Sequence, residues 1–201
     1  MGSRVVTVAL LMAALVGCSG GGDSATSTKP TSQPAPSTSG CPRFRGVTTK
    51  LESVGATSPG FLIDATAGTA GCLDQVTFTF DTGTADTGTA PGTPGYVVQY
   101  RDPAQEPFLD GDPPVPIDVP GQAFLVVTMK PALSTNPLIE GRPQTYTGNL
   151  SLAYGDHHHL QIVRKLPDGS NTVEWVIGLD GRRPFLVDRA ENPARITVYI
   201  G

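Results

Sequence analysis

Gln75-Val76-Thr77-Phe78-Thr79-Phe80 decides the fold class of this chain. Val76, Phe78 and Phe80 alternate with Gln75, Thr77 and Thr79, the period of two that puts one face of a β-strand in a core and the other in water. The same reading extends outward in both directions. Phe61-Leu62-Ile63 opens a short apolar run upstream, and Tyr96-Val97-Val98-Gln99-Tyr100 follows a Gly/Pro cluster downstream. Ala123 to Met129 is almost wholly apolar, as a central strand is, whereas Val115 to Val119 carries proline and reads as an edge strand. Leu160 to Arg164 and Thr172 to Ile177 flank Pro167-Asp168-Gly169-Ser170, a hairpin pattern with turn-forming residues in its loop. Phe185 to Val187 and Ile196 to Ile200 supply the last two strands. No stretch keeps apolar residues at spacings of three and four between helix caps, although Ser134 to Glu140 could make a single turn. Some eight or nine short strands predict an all-β protein over residues 41–201, a β-sandwich or barrel, with the antiparallel β-sandwich the expected fold. Thr82 to Gly95 and Arg101 to Pro114, rich in Gly, Thr, Asp and Pro, read as long surface loops.

The N-terminal part has a different composition. Arg4 precedes an apolar segment from Val5 to Val16, too short to span a bilayer and of signal-peptide length. It closes on Leu15-Val16-Gly17-Cys18, which resembles the bacterial lipobox. That resemblance implies a lipoprotein signal peptide over residues 1–17, acylation of Cys18, and attachment to the extracytoplasmic face of the cell membrane. Two or more acyl chains anchor stably where one binds only marginally. Residues 18–40 hold the lipidated cysteine and a Ser/Thr/Pro/Gly stretch without large apolar side chains, which reads as a disordered tether. A coil of that length spans roughly 25 Å on average. With Cys18 assigned to lipid, Cys41 and Cys72 form an even pair in a compartment that permits disulfides; closing that loop would stabilise the fold by about 3–4 kcal/mol. Two buried thiols are the alternative, and no CxxC or HxxxH spacing supports a metal.

The net charge of −4, without a basic stripe, argues against nucleic acid as a partner. It also leaves acyl chains, rather than a polybasic patch, to hold the membrane.

Several ordered blocks resemble the AMIN-like domain of actinobacterial lipoproteins. They are Cys72 to Phe80, Gly95 to Tyr100, Val119 to Val127, Glu174 to Leu179 and Pro193 to Val198, together covering Phe61 to Gly201 in order. The resemblance implies two packed antiparallel sheets and a targeting role toward peptidoglycan, as AMIN domains have in cell-wall amidases. No zinc amidase domain follows, and Asp74-Gln75 stands where an acidic-plus-basic pair is expected. The expected function is therefore a non-catalytic module that binds wall glycan or an envelope protein, with no cofactor.

A hydrolase is the alternative. Asp81-Thr82-Gly83, repeated at Asp86-Thr87-Gly88, resembles the aspartic-protease signature, yet two copies five residues apart on one loop cannot pair their carboxylates except in a homodimer. Asp156-His157-His158-His159 holds every histidine; in a strand, His157 and His159 would share a face, but no third metal ligand is evident. Asp110, Asp112 and Asp118 lack the spacing of a calcium loop, and neither Ser134 nor Ser151 sits in a Gly-x-Ser-x-Gly elbow. Trp175 alternates with Val173 and Ile177 and reads as core. Tyr96, Tyr100, Tyr146 and Tyr154 read as the accessible aromatics, so a glycan face would use Tyr96 and Tyr100 with Arg101.

Overall fold

The computed structural model describes residues 43–81, 92–152 and 155–201, all within one compact unit, Gly40–Gly201. The segments expected to be a signal peptide and a tether, with Cys18 and Cys41, lie outside the described residues. So do Thr82 to Pro91 and Tyr154.

The alternating pattern forms β3 (Leu73–Asp81), the third of thirteen described strands. Before it come β1 (Leu51–Ser53) and β2 (Gly60–Ala70). After it come β4 (Gly95–Arg101), β5 (Leu109–Asp110), β6 (Val115–Pro116), β7 (Ala123–Lys130), β8 (Ala132–Leu133) and β9 (Ser151–Leu152). The chain closes with β10 (Leu160–Lys165), β11 (Val173–Leu179), β12 (Phe185–Glu191) and β13 (Ala194–Ile200). No described residue is helical. The expected all-β sandwich is the observed fold. Its excess of strands over eight or nine consists of two- and three-residue segments that no periodicity can announce.

Two sheets make the sandwich. One has the order β1-β4-β7-β11-β10-β9 and the other β12-β13-β3-β2-β8; every pairing is antiparallel except the short β2–β8 contact. Strand β7 is central, as its apolar run predicts, and β10 and β11 form the expected hairpin. Between the sheets, Val76, Phe78 and Phe80 meet Val98, Leu125, Val127, Trp175 and Ile177. Trp175 is fully buried, with Phe78 tilted against it at 5.5 Å and Tyr146 edge-on at 5.6 Å. Such aromatic pairs add about 0.5–1.5 kcal/mol beyond area burial.

The structure corrects several expectations. The run opened by Phe61 belongs to an eleven-residue strand, because Asp64 to Ala70 pairs along β3 although its Ala, Thr and Gly residues carry little hydrophobic signal. Val115 to Val119 is not a sheet-edge strand. Only Val115–Pro116 pairs, with Leu109–Asp110, while Ile117, Val119 and Phe108 fold over the outer face of the first sheet against Val126 and Val176. Thr93, expected on a surface loop, is buried; its hydroxyl lies 2.9 Å from Ala190 O and 2.7 Å from Glu191 Oε2, tying the entry to β4 to β12 across the sandwich. Tyr146, expected to be accessible, is only 5% exposed and donates to Asn149 O at 2.6 Å. Burial, with the Asp64 charge adding to it, pushes its hydroxyl up to about 12. Ser134 to Glu140 forms turns and no helix.

Candidate functional site

Strand β4 decides which sequence-selected residues can act together. Alternation turns Tyr96, Val98 and Tyr100 toward the inter-sheet core, with both tyrosines half-buried against it. Arg101 points to the opposite face. There its Nη2 donates to Glu174 Oε1 at 3.1 Å, which also accepts from Thr128 at 2.7 Å. Its Nε lies 3.1 Å from Glu106 Oε2 without hydrogen-bond geometry, and its guanidinium carbon sits 5.6 Å from the centre of the Phe108 ring. With only 15% of its side chain exposed, Arg101 is spent on packing the loop over the sheet. Of the three, Tyr100 and Arg101 still border a common groove at the strand end, and Tyr96 does not.

The end of β4 opens into a groove of about 370 Å³ lined by Tyr100, Arg101, Asp102, Gln122, Phe124 and Arg182. Its rim is built by polar bonds to and within the connection between β11 and β12. The Tyr100 hydroxyl donates to Arg183 O at 2.7 Å and accepts from Arg183 N–H at 2.8 Å, and its ring meets Phe185 edge-on at 6.0 Å. Burial raises this hydroxyl above its ordinary value, and the Arg183 amide offsets that only in part. Arg183 in turn places Nε and Nη2 on Asp180 at 3.0 and 2.8 Å, which holds the Asp180 carboxyl below the usual carboxylate range; His159 adds to the same effect. Gln122 reaches the groove because Gly121 and Gly178 let the chain cross β11 closely. Gly121 has φ +149°, and a Cβ on Gly178 would lie 1.9 Å from Pro120 O. The Gln122 N–H then closes on Leu179 O at 2.7 Å.

The histidine run lies in the loop before β10, not in a strand, so the expected shared face for His157 and His159 does not arise. Its backbone instead seats a carboxylate. Fully buried Asp74 accepts His158 N–H at 2.8 Å on Oδ1, and His159 and Leu160 N–H at 2.6 and 2.8 Å on Oδ2. His157 Nδ1 is 3.6 Å from the same carboxylate, and His159 Nδ1 pairs with Asp180 at 3.2 Å. This clasp joins β3 of one sheet to β10 of the other. Among the described residues no group of three or more His, Cys, Asp or Glu is placed to hold a metal.

Of the remaining candidates, Asp81 ends β3 exposed, and the rest of both Asp-Thr-Gly copies lies outside the described residues. Ser134 is buried and donates to Asp168, which Lys165 also engages. Asp110, at the end of β5, and the loop residues Asp112 and Asp118 are all exposed. Cys72 is disulfide-bonded. Arg182, over the Tyr100 ring, escaped the sequence reading; an Arg-Arg pair after Asp180 signals charge but not which arginine is left free.

Residues 61–201 match the AMIN-like domain family. The chain belongs to this family. The AMIN-like match begins one residue into β2 and runs to the end, taking in both sheets apart from β1. No curated protein and no solved structure matches the chain.

Proposed function

We propose that this protein is a lipid-anchored module of the cell envelope whose AMIN-like domain binds peptidoglycan or another wall glycan and performs no chemistry. Membership of the AMIN-like family over residues 61–201 carries the reading. The condition of the reactive groups supports a binding role: Asp74 is satisfied by backbone amides, Ser134 by Asp168, and Arg101 by Glu174. The open groove at Tyr100 and Arg182 supports the reading by offering room for a ligand. The lipobox-like ending at Cys18 supports anchoring on the extracytoplasmic face, with residues 18–40 letting the domain reach the wall.

Purified protein incubated with isolated sacculi should co-sediment with them and release no soluble fragments. Cys18→Ala expressed in a native host should lose its acyl mass and leave the membrane fraction. Wild-type protein that stays in the supernatant and is recovered only crosslinked to an envelope protein would overturn the glycan reading. Peptidoglycan or casein turnover abolished by Asp81→Asn would overturn the non-catalytic one.

A further inference from the structure

We infer that the groove beside Tyr100 recognises a carboxylated sugar and that Arg182 is the residue that reads the carboxylate. The inference rests on the wall-binding reading and adds to it a site and a ligand chemistry.

Arg182 and Arg183 are neighbours in sequence but differ in what they do. Arg183 is committed to the fold, its guanidinium on Asp180 and its backbone on the Tyr100 hydroxyl. Arg182 is exposed and has no carboxylate partner among the described residues. Its guanidinium carbon lies 4.9 Å from the centre of the Tyr100 ring. A guanidinium held over an aromatic ring by cation–π attraction can still donate from its planar fork, which binds a carboxylate with two parallel hydrogen bonds. The platform is rigid, because Tyr100 is held at its hydroxyl by Arg183 and at its ring by Phe185. A side chain held on a fixed ring loses less freedom on binding than a loose surface arginine.

The rest of the groove selects against other anions and favours a sugar. Its volume of about 370 Å³ is near the low end of the range for small-molecule sites, room for a short saccharide. Exposed Asp102, oriented by Ala104 N–H at 2.9 Å, faces the same space and disfavours a multiply charged phosphate. One free cation beside one carboxylate suits a ligand with a single negative charge and hydroxyls for Asp102 and Gln122 to bind. Half-buried Phe124 gives the sugar ring an apolar edge.

Calorimetric titration of the whole protein tests this. N-acetylmuramic acid and galacturonic acid serve as carboxylated probes, and N-acetylglucosamine and methyl galacturonate as neutral ones. The carboxylated sugars should bind at least tenfold more tightly than the neutral ones. Arg182→Gln should remove that preference without shifting Tm, and Arg182→Lys, which keeps charge but not the planar fork, should fall between. Wild-type affinity in Arg182→Gln, equal affinity for acid and ester, or tighter binding of an N-acetylated dipeptide would each overturn the proposal. Co-sedimentation with sacculi stripped of their stem peptides, which frees the muramic carboxylates, separates the two readings. Retention lost in Arg182→Gln supports this site, and retention unchanged overturns it while leaving wall binding intact. If wild-type protein is not retained, the wall reading fails and the calorimetry alone upholds or overturns the site.

Discussion

Replacing Asp74 by Asn should destabilise the domain by about 3–5 kcal/mol, and the geometry of the clasp sets that figure. Asp74 has no exposed surface, and its two oxygens take three successive amide N–H groups, one on Oδ1 and two on Oδ2. Asn has one acceptor oxygen. Turned to keep the bonds from His159 and Leu160, it aims its NH₂ at the His158 N–H, so one bond is lost and two donors face each other. A hydrogen bond to a charged group contributes about 1.5–3 kcal/mol, and an unsatisfied buried donor costs about 1–3 kcal/mol. Asp74→Ala strands all three amides and should cost more. Urea unfolding followed by fluorescence reads the change directly, because Trp175 is the chain's single tryptophan and lies in the core. At about 2–4 °C per kcal/mol for a domain of this size, Tm should fall by roughly 10 °C. Faster exchange of the 158–160 amides should accompany it. A loss below about 1 kcal/mol for Asp74→Asn would refute the reasoning, since it would mean that the amides find other acceptors.

Gly178→Ala forces a Cβ against Pro120 O and should cost about 1–3 kcal/mol, read as a lowered Tm; an unchanged Tm would show that the crossing segment yields freely. The depressed Asp180 carboxyl contributes stability above the ordinary carboxylate range, and that contribution is lost as pH falls through the lower folded value. Urea midpoints measured down the acid limb should therefore fall less steeply in Asp180→Asn than in wild type, and parallel limbs would contradict the assignment. Tyr146, pushed up to about 12, favours the neutral phenol in the folded state. Its contribution to stability is present below the ordinary tyrosine value of about 10 and is lost as pH rises toward 12. In an ultraviolet phenolate titration, Tyr146→Phe should remove the last-ionising tyrosine; an unchanged high-pH end of the titration would refute it.

Legibility followed hydrophobic contrast. Strands β3, β7, β10 and β11 were readable because Phe78, Val127, Val163 and Trp175 must leave water and do so at strand spacing. The second half of β2 was not, because Ala65 and Ala67 are small enough to face a core without announcing it. The site was legible only in part. Tyr100 and Arg101 were selected as aromatic and cation, yet one strand step put them on opposite faces and committed Arg101 to Glu174. Asp74 stood out only as a departure from the family pattern, and its clasp was not legible because its partners are backbone amides more than eighty residues away.

The sequence by itself determined that the chain is all-β, because period-two alternation over several strands buries its apolar face only when sheets pack together or close into a barrel, and the choice of a sandwich lies in the strand order of two separate sheets. It also carried the AMIN-like blocks. Which polar groups are free was decided only by the tertiary structure. Arg182 and Arg183 are chemically identical and adjacent, and what separates them is that Asp180 closes on one while Tyr100 slides beneath the other. A local pattern fixes which residues are buried, but whether a charge is paired depends on distant segments meeting, and that is a property of the folded chain alone.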